Sequence, residues 1–226
     1  MGGRGSSSSG ESLSGGSGQV INIVNSMDVW SYRHNQNNEP FVDAINTSVR
    51  AIENDFPGIM SETVNSVDAT EFGGNDRYST LGCYGSDGVL SMNRNYTNID
   101  KMNAVYDNTV KSGYHPSRGD KSGTEAVTFH EMGHAVTDHV AKNGWGKDID
   151  DASKTIVDYA YSRINGKGGT KAAAGKISKY AQKNNAECVA EAFADYYCNG
   201  SKAKRFSKAI VDEAKRLSRT EPIPFS

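Results

Sequence analysis

The stretch HEMGH carries two histidines four residues apart, His130 and His134, with Glu131 directly after the first. On a helix, residues four apart lie on nearly the same face, so both imidazole rings can point a nitrogen at one position about 2 Å away. A zinc ion at that position lowers the pKa of a bound water molecule, and an adjacent carboxylate can take the proton that the water releases. The motif therefore predicts a hydrolytic zinc centre with Glu131 as its general base.

The alternative is a helix that carries these three side chains by chance and exposes them to water. The apolar surroundings of the motif argue against it, because buried imidazoles need partners. These apolar neighbours are Ala126, Val127, Phe129, Ala135 and Val136. We therefore expect a buried motif helix from about residue 123 to residue 143.

Two histidines leave a catalytic zinc one protein ligand short, since hydrolytic sites use three together with a water molecule. His139 is the nearest candidate, but it lies nine residues from His130, half a turn round the helix, with no glycine to bend the chain back. The longer HExxHxxGxxH pattern is absent, because Thr137 and Val140 stand where it needs glycine and histidine. Capping or core packing is the favoured role for His139.

A later segment, NNAECVAEAFADYY, carries carboxylates at every fourth position, at Glu187, Glu191 and Asp195. Acidic residues along one face of an otherwise apolar helix require an explanation. We predict that Glu187 is the third zinc ligand and that Glu191 accepts the second ring N–H of a ligating histidine, which fixes its tautomer. The alternative is an acidic face directed at water.

Together, HEMGHAV and ISKYAQKNNAECVAEAFADYY resemble the catalytic core of the anthrax lethal factor family of zinc metallopeptidases, which includes small Pro-Pro endopeptidases and phage-encoded relatives. The resemblance covers roughly residues 112 to 200. It implies a zincin-like fold, a gluzincin-type Zn²⁺ site, support of that site by Glu191, and an oxyanion-stabilising tyrosine seven residues before the glutamate ligand, which is Tyr180. The family usually has two aromatic residues after that glutamate, where this chain has Cys188 and Val189. We expect Cys188 to be a small core residue and not a thiolate ligand.

The elements that must position these residues follow a sheet-first, helices-after order, which is typical of an α+β fold. Before the motif, the sequence predicts a helix in EPFVDAINTSVRAIENDFPG, strands in ETVNSVDAT and on both sides of GSDG, and a helix after Asn98. After the motif, it predicts helices in DDASKTIVDYAYSRIN, KISKYAQ, NAECVAEAFADYYC and KAKRFSKAIVDEAKRLSR, with a Gly-rich connector before KISKYAQ. The expected whole is a small mixed sheet over the HExxH helix, followed by a mainly helical C-terminal half.

Zincin folds bind an extended peptide along an outer strand of their sheet, so we also expect such a strand here. We predict that residues 88 to 92, GVLSM, form it. The loop SGYHPSRGDKSG leads into the motif helix. We assign His115 to this loop, with contact to the substrate as the less favoured alternative.

Composition sets the limits on other classes of function. Residues 1–18 are almost entirely glycine and serine, so we predict a disordered tail there and one metallopeptidase domain over 19–226. With 226 residues and a net charge of −2, the chain can bury one sizeable core and has no electrostatic bias toward nucleic acid or membranes. The three cysteines, Cys83, Cys188 and Cys198, are expected to be free thiols. The sequence predicts neither a secretory signal nor a membrane span.

The start of the chain, MGGRGSSSSG, also resembles the start of minor head or structural proteins from phages of Gram-positive bacteria. We therefore predict a phage-encoded zinc metalloendopeptidase that acts on a peptide or protein substrate in the host cytoplasm or the virion, with phage structural proteins as possible partners. The alternative is a phage structural or head-assembly protein in which this domain is a packing module with little or no peptidase activity. A secreted endopeptidase is disfavoured because no signal segment is predicted. The basic last helix is interpreted as a solvated face and not as a phosphate-binding surface.

Deleting residues 1–18 should leave the melting temperature and the zinc content nearly unchanged, because a Gly/Ser tail adds little to a packed core. Thermal unfolding and metal analysis of the truncated and full-length chains check this expectation. A decrease of more than a few degrees would mean that the tail docks on the domain.

Overall fold

The computed structural model describes residues 39–220 and three short strands before them. These strands are β1 (Val20–Ile21), β2 (Ile23–Val24) and β3 (Asp28–Val29). The tail predicted at 1–18 lies outside the described residues. β2 and β3 pair with each other in antiparallel fashion, whereas β1 joins the main sheet.

The main sheet contains β1 and three strands from the first half of the described region. These are β4 (Ser66–Thr70), β5 (Gly82–Tyr84) and β6 (Val89–Asn93). The spatial order is β1, β4, β6, β5, with β4 parallel to β6 and β5 antiparallel to β6 across the GSDG turn. β1 and β5 are therefore the two edge strands of this sheet.

The prediction that residues 88 to 92 form the edge strand is wrong, because β6 covers this segment and lies between β4 and β5. The burial of their side chains explains why β6, and not β5, is the inner strand. Leu90 and Met92 of β6 are fully buried, whereas Tyr84 is the one buried residue of β5. An inner strand is covered on both sides, so the more apolar strand takes that position.

Eight α-helices lie within residues 39–220. They are α1 (Glu39–Asp55), α2 (Ile59–Glu62), α3 (Ile99–Lys111), α4 (Gly123–Val140), α5 (Ile149–Arg163), α6 (Gly169–Ala174), α7 (Asn185–Asn199) and α8 (Arg205–Ser218). The fold of this region is α+β, with the strands before most of the helices. None of the helices in the described part of the chain has both the length and the apolar composition needed to cross a bilayer.

The helix predicted over KISKYAQ is wrong, since that segment contains a single 3-10 turn at Tyr180–Gln182. The helix α6 instead lies in the segment that we predicted to be a Gly-rich connector. The backbone N–H groups of Lys179 and Tyr180 donate to the carbonyls of Gly113 at 2.9 Å and Tyr114 at 3.1 Å. A tertiary contact thus replaces the helical hydrogen bonds that the local pattern favours.

The motif helix α4 lies at the centre of the fold. A capping box starts it: Ser122 Oγ accepts from Glu125 N at 3.1 Å, and Glu125 Oε2 accepts from Ser122 N at 2.7 Å. The helix packs against α1, α3, α5, α7, α8 and β5. Its buried apolar residues are Ala126, Val127, Phe129, Met132, Ala135, Val136 and Val140.

The helices α4 and α7 approach each other closely at Gly133. A Cβ atom at this position would lie 2.8 Å from Cα of Ala190 and 3.1 Å from Cβ of Phe193. These neighbouring atoms belong to the backbone and to the base of a buried side chain, so they cannot move aside cheaply. Glycine at 133 therefore lets the carboxylates of α7 come within reach of the histidines on α4.

The basic residues of α8 anchor that helix to its neighbours in part. Lys215 Nζ lies 2.7 Å from Asp55 Oδ2 on α1. The fully buried Glu213 pairs with Arg216 of its own helix and, at 2.9 Å, with Arg163 of α5. Part of the basic set therefore has a packing role, in addition to the solvated face that the sequence predicts.

Gly133→Ala should destabilise the fold by about 1–3 kcal/mol, because the added methyl group overlaps the backbone of α7. At an unhindered helical position the same change stabilises by about 0.5–1 kcal/mol, so the sign of the effect is diagnostic. Gly73→Ala is the control for the added methyl group alone, since Gly73 has an extended backbone (φ −93°, ψ 167°) and no heavy atom lies within 4 Å of its added Cβ. Equilibrium unfolding in urea measures both changes, and a more stable Gly133→Ala variant would contradict the close helix contact.

Candidate metal centre

Two ring nitrogens and one carboxylate oxygen face a common point between α4 and α7. Glu187 Oε2 lies 3.3 Å from Nε2 of His130 and 3.4 Å from Nε2 of His134. The two imidazole rings stand edge to face, with centroids 5.1 Å apart. Among the described residues, these three form the one group of His, Cys, Asp or Glu side chains whose ligand atoms all lie within 4.8 Å of one another.

The geometry of this group fits a tetrahedral zinc ion. With metal–ligand bonds of about 2.0–2.1 Å, two ligand atoms of a tetrahedron lie about 3.3 Å apart, which agrees with the separations of 3.3 and 3.4 Å between Glu187 Oε2 and the two ring nitrogens. Glu187 Oε2 is buried and has no hydrogen-bond donor. Burial alone raises the pKa of Glu187, but the facing imidazoles of His130 and His134 lower it well below its usual range, so the carboxylate is anionic. A cation is the partner that such a buried oxygen lacks.

The position of Glu187 is set at the start of α7. The side chain of Asn184 caps this helix by accepting a hydrogen bond from the backbone N–H of Glu187 at 2.8 Å. While Oε2 faces the histidines, Oε1 accepts from the hydroxyl of Tyr180 at 2.7 Å and from Nζ of Lys183 at 3.1 Å. The two carboxylate oxygens therefore have separate sets of partners.

Glu191 lies one turn further along α7 and is fully buried. Its Oε1 accepts from Nδ1 of His130 at 2.8 Å, and its Oε2 accepts from Ser178 Oγ at 2.6 Å. A proton held on Nδ1 leaves the lone pair of Nε2 directed at the metal position. Burial raises the pKa of Glu191, but the charges and hydrogen bonds of His115 and His130 lower it to about 2, so it remains an acceptor near neutral pH.

His115 belongs to this site. It lies in the loop before α4, as the sequence predicts, but our sequence analysis did not predict its contact with Glu191. Its Nδ1 lies 2.8 Å from Glu191 Oε1, the same oxygen that holds His130. Its ring stacks on Tyr106, with centroids 5.6 Å apart, and meets the ring of Tyr180 edge to face. The available signal was the acceptor capacity of Glu191, because a buried carboxylate has more lone pairs than one histidine can satisfy.

Glu131 lies beside the metal position, between α4 and the edge strand β5. Burial raises the pKa of Glu131 above its ordinary value, partly offset by the nearby His130 and His134, and the backbone N–H of Tyr84 donates to the carboxylate. A Cβ at Gly82 would lie 2.8 Å from Cγ1 of Val127 and 3.1 Å from Cγ of Glu131, so glycine lets β5 pass this closely over α4 and the carboxylate. A raised pKa suits a group that takes and returns a proton near neutral pH.

An open cavity of about 1250 Å³ leads to this centre. Its walls are residues 78 to 84 around β5, one side of α3, the loop that carries His115, and the start of α7. His130, Glu131 and His134 line it together with Tyr180 and Glu187. The proposed reacting groups are therefore accessible to a ligand of peptide size.

The remaining candidates from the sequence lie outside the ligand group. Nδ1 of His139 is 3.3 Å from Thr63 Oγ1, and its Nε2 is 3.3 Å from the side-chain amide of Asn143, so it packs in the core away from the other histidines. Burial raises the pKa of Cys188 to about 12, which makes it a neutral core thiol. Asp195, the third acidic residue of the stripe, accepts from the backbone N–H of Lys204 at 2.7 Å and fixes the start of α8.

Comparisons with protein-family models, with curated proteins and with solved structures find no match for this chain. The resemblance to the lethal factor family therefore stays a prediction from the sequence. The functional argument rests on the geometry of the site.

The two glutamates should respond differently when each is changed to glutamine. Glu187→Gln removes the charge of the predicted third ligand, so we expect zinc affinity to collapse. Glu191→Gln and His115→Ala loosen the orientation of His130 and should weaken zinc binding by about 10- to 100-fold. Zinc dissociation constants from competition with a chelator provide the measurement.

His139→Ala is the control for these variants, because His139 contacts neither Glu187 nor the other histidines in the described structure. Its zinc affinity should equal that of the unaltered chain. Loss of zinc from His139→Ala, together with retention by Glu187→Gln, would show that the third ligand is misplaced.

Proposed function

We propose that this chain is a zinc-dependent metallopeptidase of the gluzincin type with a zincin-like fold, in which His130, His134 and Glu187 hold Zn²⁺. The proposal rests above all on Glu187 Oε2, an orphaned buried oxygen 3.3 and 3.4 Å from two ring nitrogens. Bound zinc supplies a Lewis acid that polarises the scissile carbonyl and acidifies a water molecule. Three protein ligands of this type suit a hydrolytic zinc better than magnesium or calcium, which prefer oxygen ligands.

Glu131 acts as the general base and then as the general acid in this proposal. Its carboxylate borders the metal position from the side of β5, within the cavity that admits the substrate. It takes the proton of the attacking water and passes it to the nitrogen of the leaving amine. Its burial and raised pKa favour both transfers near neutral pH.

Tyr180 donates a hydrogen bond to the oxyanion that develops on the scissile carbonyl. Burial, the charge of Glu187 and their hydrogen bond all raise the pKa of Tyr180, so the hydroxyl keeps its proton and serves as a donor. Such donors contribute a few kcal/mol to the stabilisation of the transition state.

The substrate in this proposal is an extended peptide that pairs with β5. β5 stands at the end of the strand order, and no strand among the described residues covers its outer side. Gly82, Cys83 and Tyr84 also line the cavity above the metal position. Backbone hydrogen bonds from such an edge give affinity for a peptide, and side-chain pockets give specificity.

The resemblance at the start of the chain extends the proposal to a phage-encoded enzyme that acts in the host cytoplasm or in the virion. The alternative function, a structural or assembly protein that uses this domain for packing, has no need of a general base or an open cavity. The buried carboxylate of Glu131 with its raised pKa, and the open cavity that reaches it, support the peptidase.

Glu131→Gln should abolish peptide hydrolysis while about one zinc per chain is retained, because the amide cannot accept the proton and is not a ligand. Tyr180→Phe should also keep zinc but lower kcat by about 10²- to 10³-fold, since it removes a hydrogen bond that matters mainly in the transition state. The assay is digestion of a proteome-derived peptide library, read by mass spectrometry, with metal analysis of each variant.

The unaltered chain is tested with and without a chelator, and zinc is then added back. Cleavage that the chelator abolishes and zinc restores supports the proposal. Absence of cleavage by the zinc-loaded chain, or equal cleavage by Glu131→Gln, would refute it.

A further inference from the structure

A lysine shares the hydrogen bonds of the glutamate that faces the two histidines. Nζ of Lys183 lies 3.1 Å from Oε1 of Glu187 and 3.2 Å from the hydroxyl oxygen of Tyr180. It also lies over the ring of Tyr180, 4.9 Å from the centroid. Since the Tyr180 hydroxyl donates to the same Oε1 at 2.7 Å, the three polar groups form a closed triangle.

The proposed role of Tyr180 creates a conflict within this triangle. A phenol has one O–H to donate, and here that donor is directed at Glu187 Oε1. When Tyr180 turns to the oxyanion of the substrate, Oε1 loses its closest donor. Glu187 is 1% exposed, so water has little access to replace it. If no other group donated to Oε1, this buried charged oxygen would be left without a donor, which is unfavourable. That cost would oppose the rotation of Tyr180 toward the substrate.

Lys183 has the chemistry to remove the conflict. An ammonium group has three N–H donors and no acceptor, so Lys183 can donate to Oε1 and to the phenol oxygen at the same time. Donation to the phenol oxygen leaves the hydrogen of Tyr180 available for another acceptor. It also polarises that hydroxyl and strengthens its own donation.

We propose that Lys183 is a positioning residue that holds Glu187 Oε1 when the Tyr180 hydroxyl turns to the substrate oxyanion. This inference rests on the proposed peptidase function and adds a residue to it. Lys183 does not touch the reacting atoms, and it acts through Glu187 and Tyr180. The three residues lie within the connection to α7 and its first turn, so local structure sets their spacing.

The alternative is an ordinary i,i+4 ion pair at the protein surface, which contributes little. The burial of Glu187 distinguishes the proposed role from a surface ion pair. The side chain of Lys183 is 36% exposed, but that of Glu187 is 2% exposed. The ammonium therefore reaches inward to a buried acceptor, with the face of an aromatic ring beneath it.

Lys183→Met tests the inference, because it keeps the length of the side chain and removes its donors and charge. We expect zinc affinity to fall by about 10-fold or more, and kcat at saturating zinc to fall by about 10-fold with little change in KM. Lys183→Arg retains a donor and a charge and should recover most of both losses. Lys154→Met is the matched control, because the Lys154 ammonium forms an exposed i,i+4 ion pair with Asp158 on α5 at 2.6 Å, so its removal should change neither quantity.

A double variant with Tyr180→Phe separates a positioning role from a general structural one. If Lys183 acts through Tyr180, Lys183→Met should not lower kcat further in the Tyr180→Phe background, within about twofold. Zinc affinity should instead be lowest in the double variant, because both donors to Glu187 Oε1 are then missing.

Two results would overturn the inference. The first is an equal fall of kcat in both backgrounds, which would mean that Lys183 acts independently of Tyr180. The second is unchanged zinc affinity and kcat in Lys183→Met, as expected for a surface ion pair. The peptidase proposal fails separately, when the zinc-loaded unaltered chain cleaves no peptide, and the zinc affinity of the Lys183 variants still decides whether this lysine holds Glu187.

Discussion

The contact between α4 and α7 is the constraint on which the candidate site depends. Gly133 permits an approach at which any Cβ would lie 2.8 Å from the backbone of Ala190. At this separation two buried glutamates of α7 face the histidines of α4. Burial of a charged group is costly unless the group is paired, so the two helices depend on one another. The imidazoles of α4 stabilise the buried carboxylates of α7, and these carboxylates orient the imidazoles.

Each acidic residue of α7 has a different task, although their spacing is the same. Glu187 directs an oxygen without a hydrogen-bond partner at the candidate metal position. Glu191 accepts hydrogen bonds from His130 and His115. Asp195 fixes the start of α8. Helical periodicity indicates that the three share a face, but it does not assign the partners. The partners come from other elements, namely α4, the loop before it and the start of α8, and their positions follow from tertiary packing.

The difference between local periodicity and tertiary packing explains what the sequence could and could not predict. The main helices, the hairpin around GSDG and the placement of His130 and His134 on one helix face depend on local periodicity and on helix geometry, which the sequence encodes directly. The sequence also predicts Glu187 as a partner of these histidines, but its contact with them depends on the packing of α7 against α4. The edge strand, the KISKYAQ segment and the role of His115 depend on contacts between segments far apart in the chain. The order of β5 and β6, for example, is set by which strand pairs with β4. The N–H groups of Lys179 and Tyr180 bond to residues about 66 positions earlier.

Those last two hydrogen bonds also bear on how rigid the site is. Lys179 N and Tyr180 N bind the carbonyls of Gly113 and Tyr114, the two residues directly before His115. The segment with Tyr180, the proposed oxyanion donor, and the segment with His115 are therefore joined by two backbone hydrogen bonds. Glu191 adds a third link, since it accepts from His115 and from Ser178 on either side of these two hydrogen bonds. The backbones of the two segments must consequently shift together. When a substrate displaces the Tyr180 hydroxyl, rotation of the Tyr180 side chain is therefore easier than movement of either backbone segment. If one phenol rotates within a fixed frame, the reorganisation is confined to one side chain, whereas a frame that relaxed with it would lose part of the stabilisation.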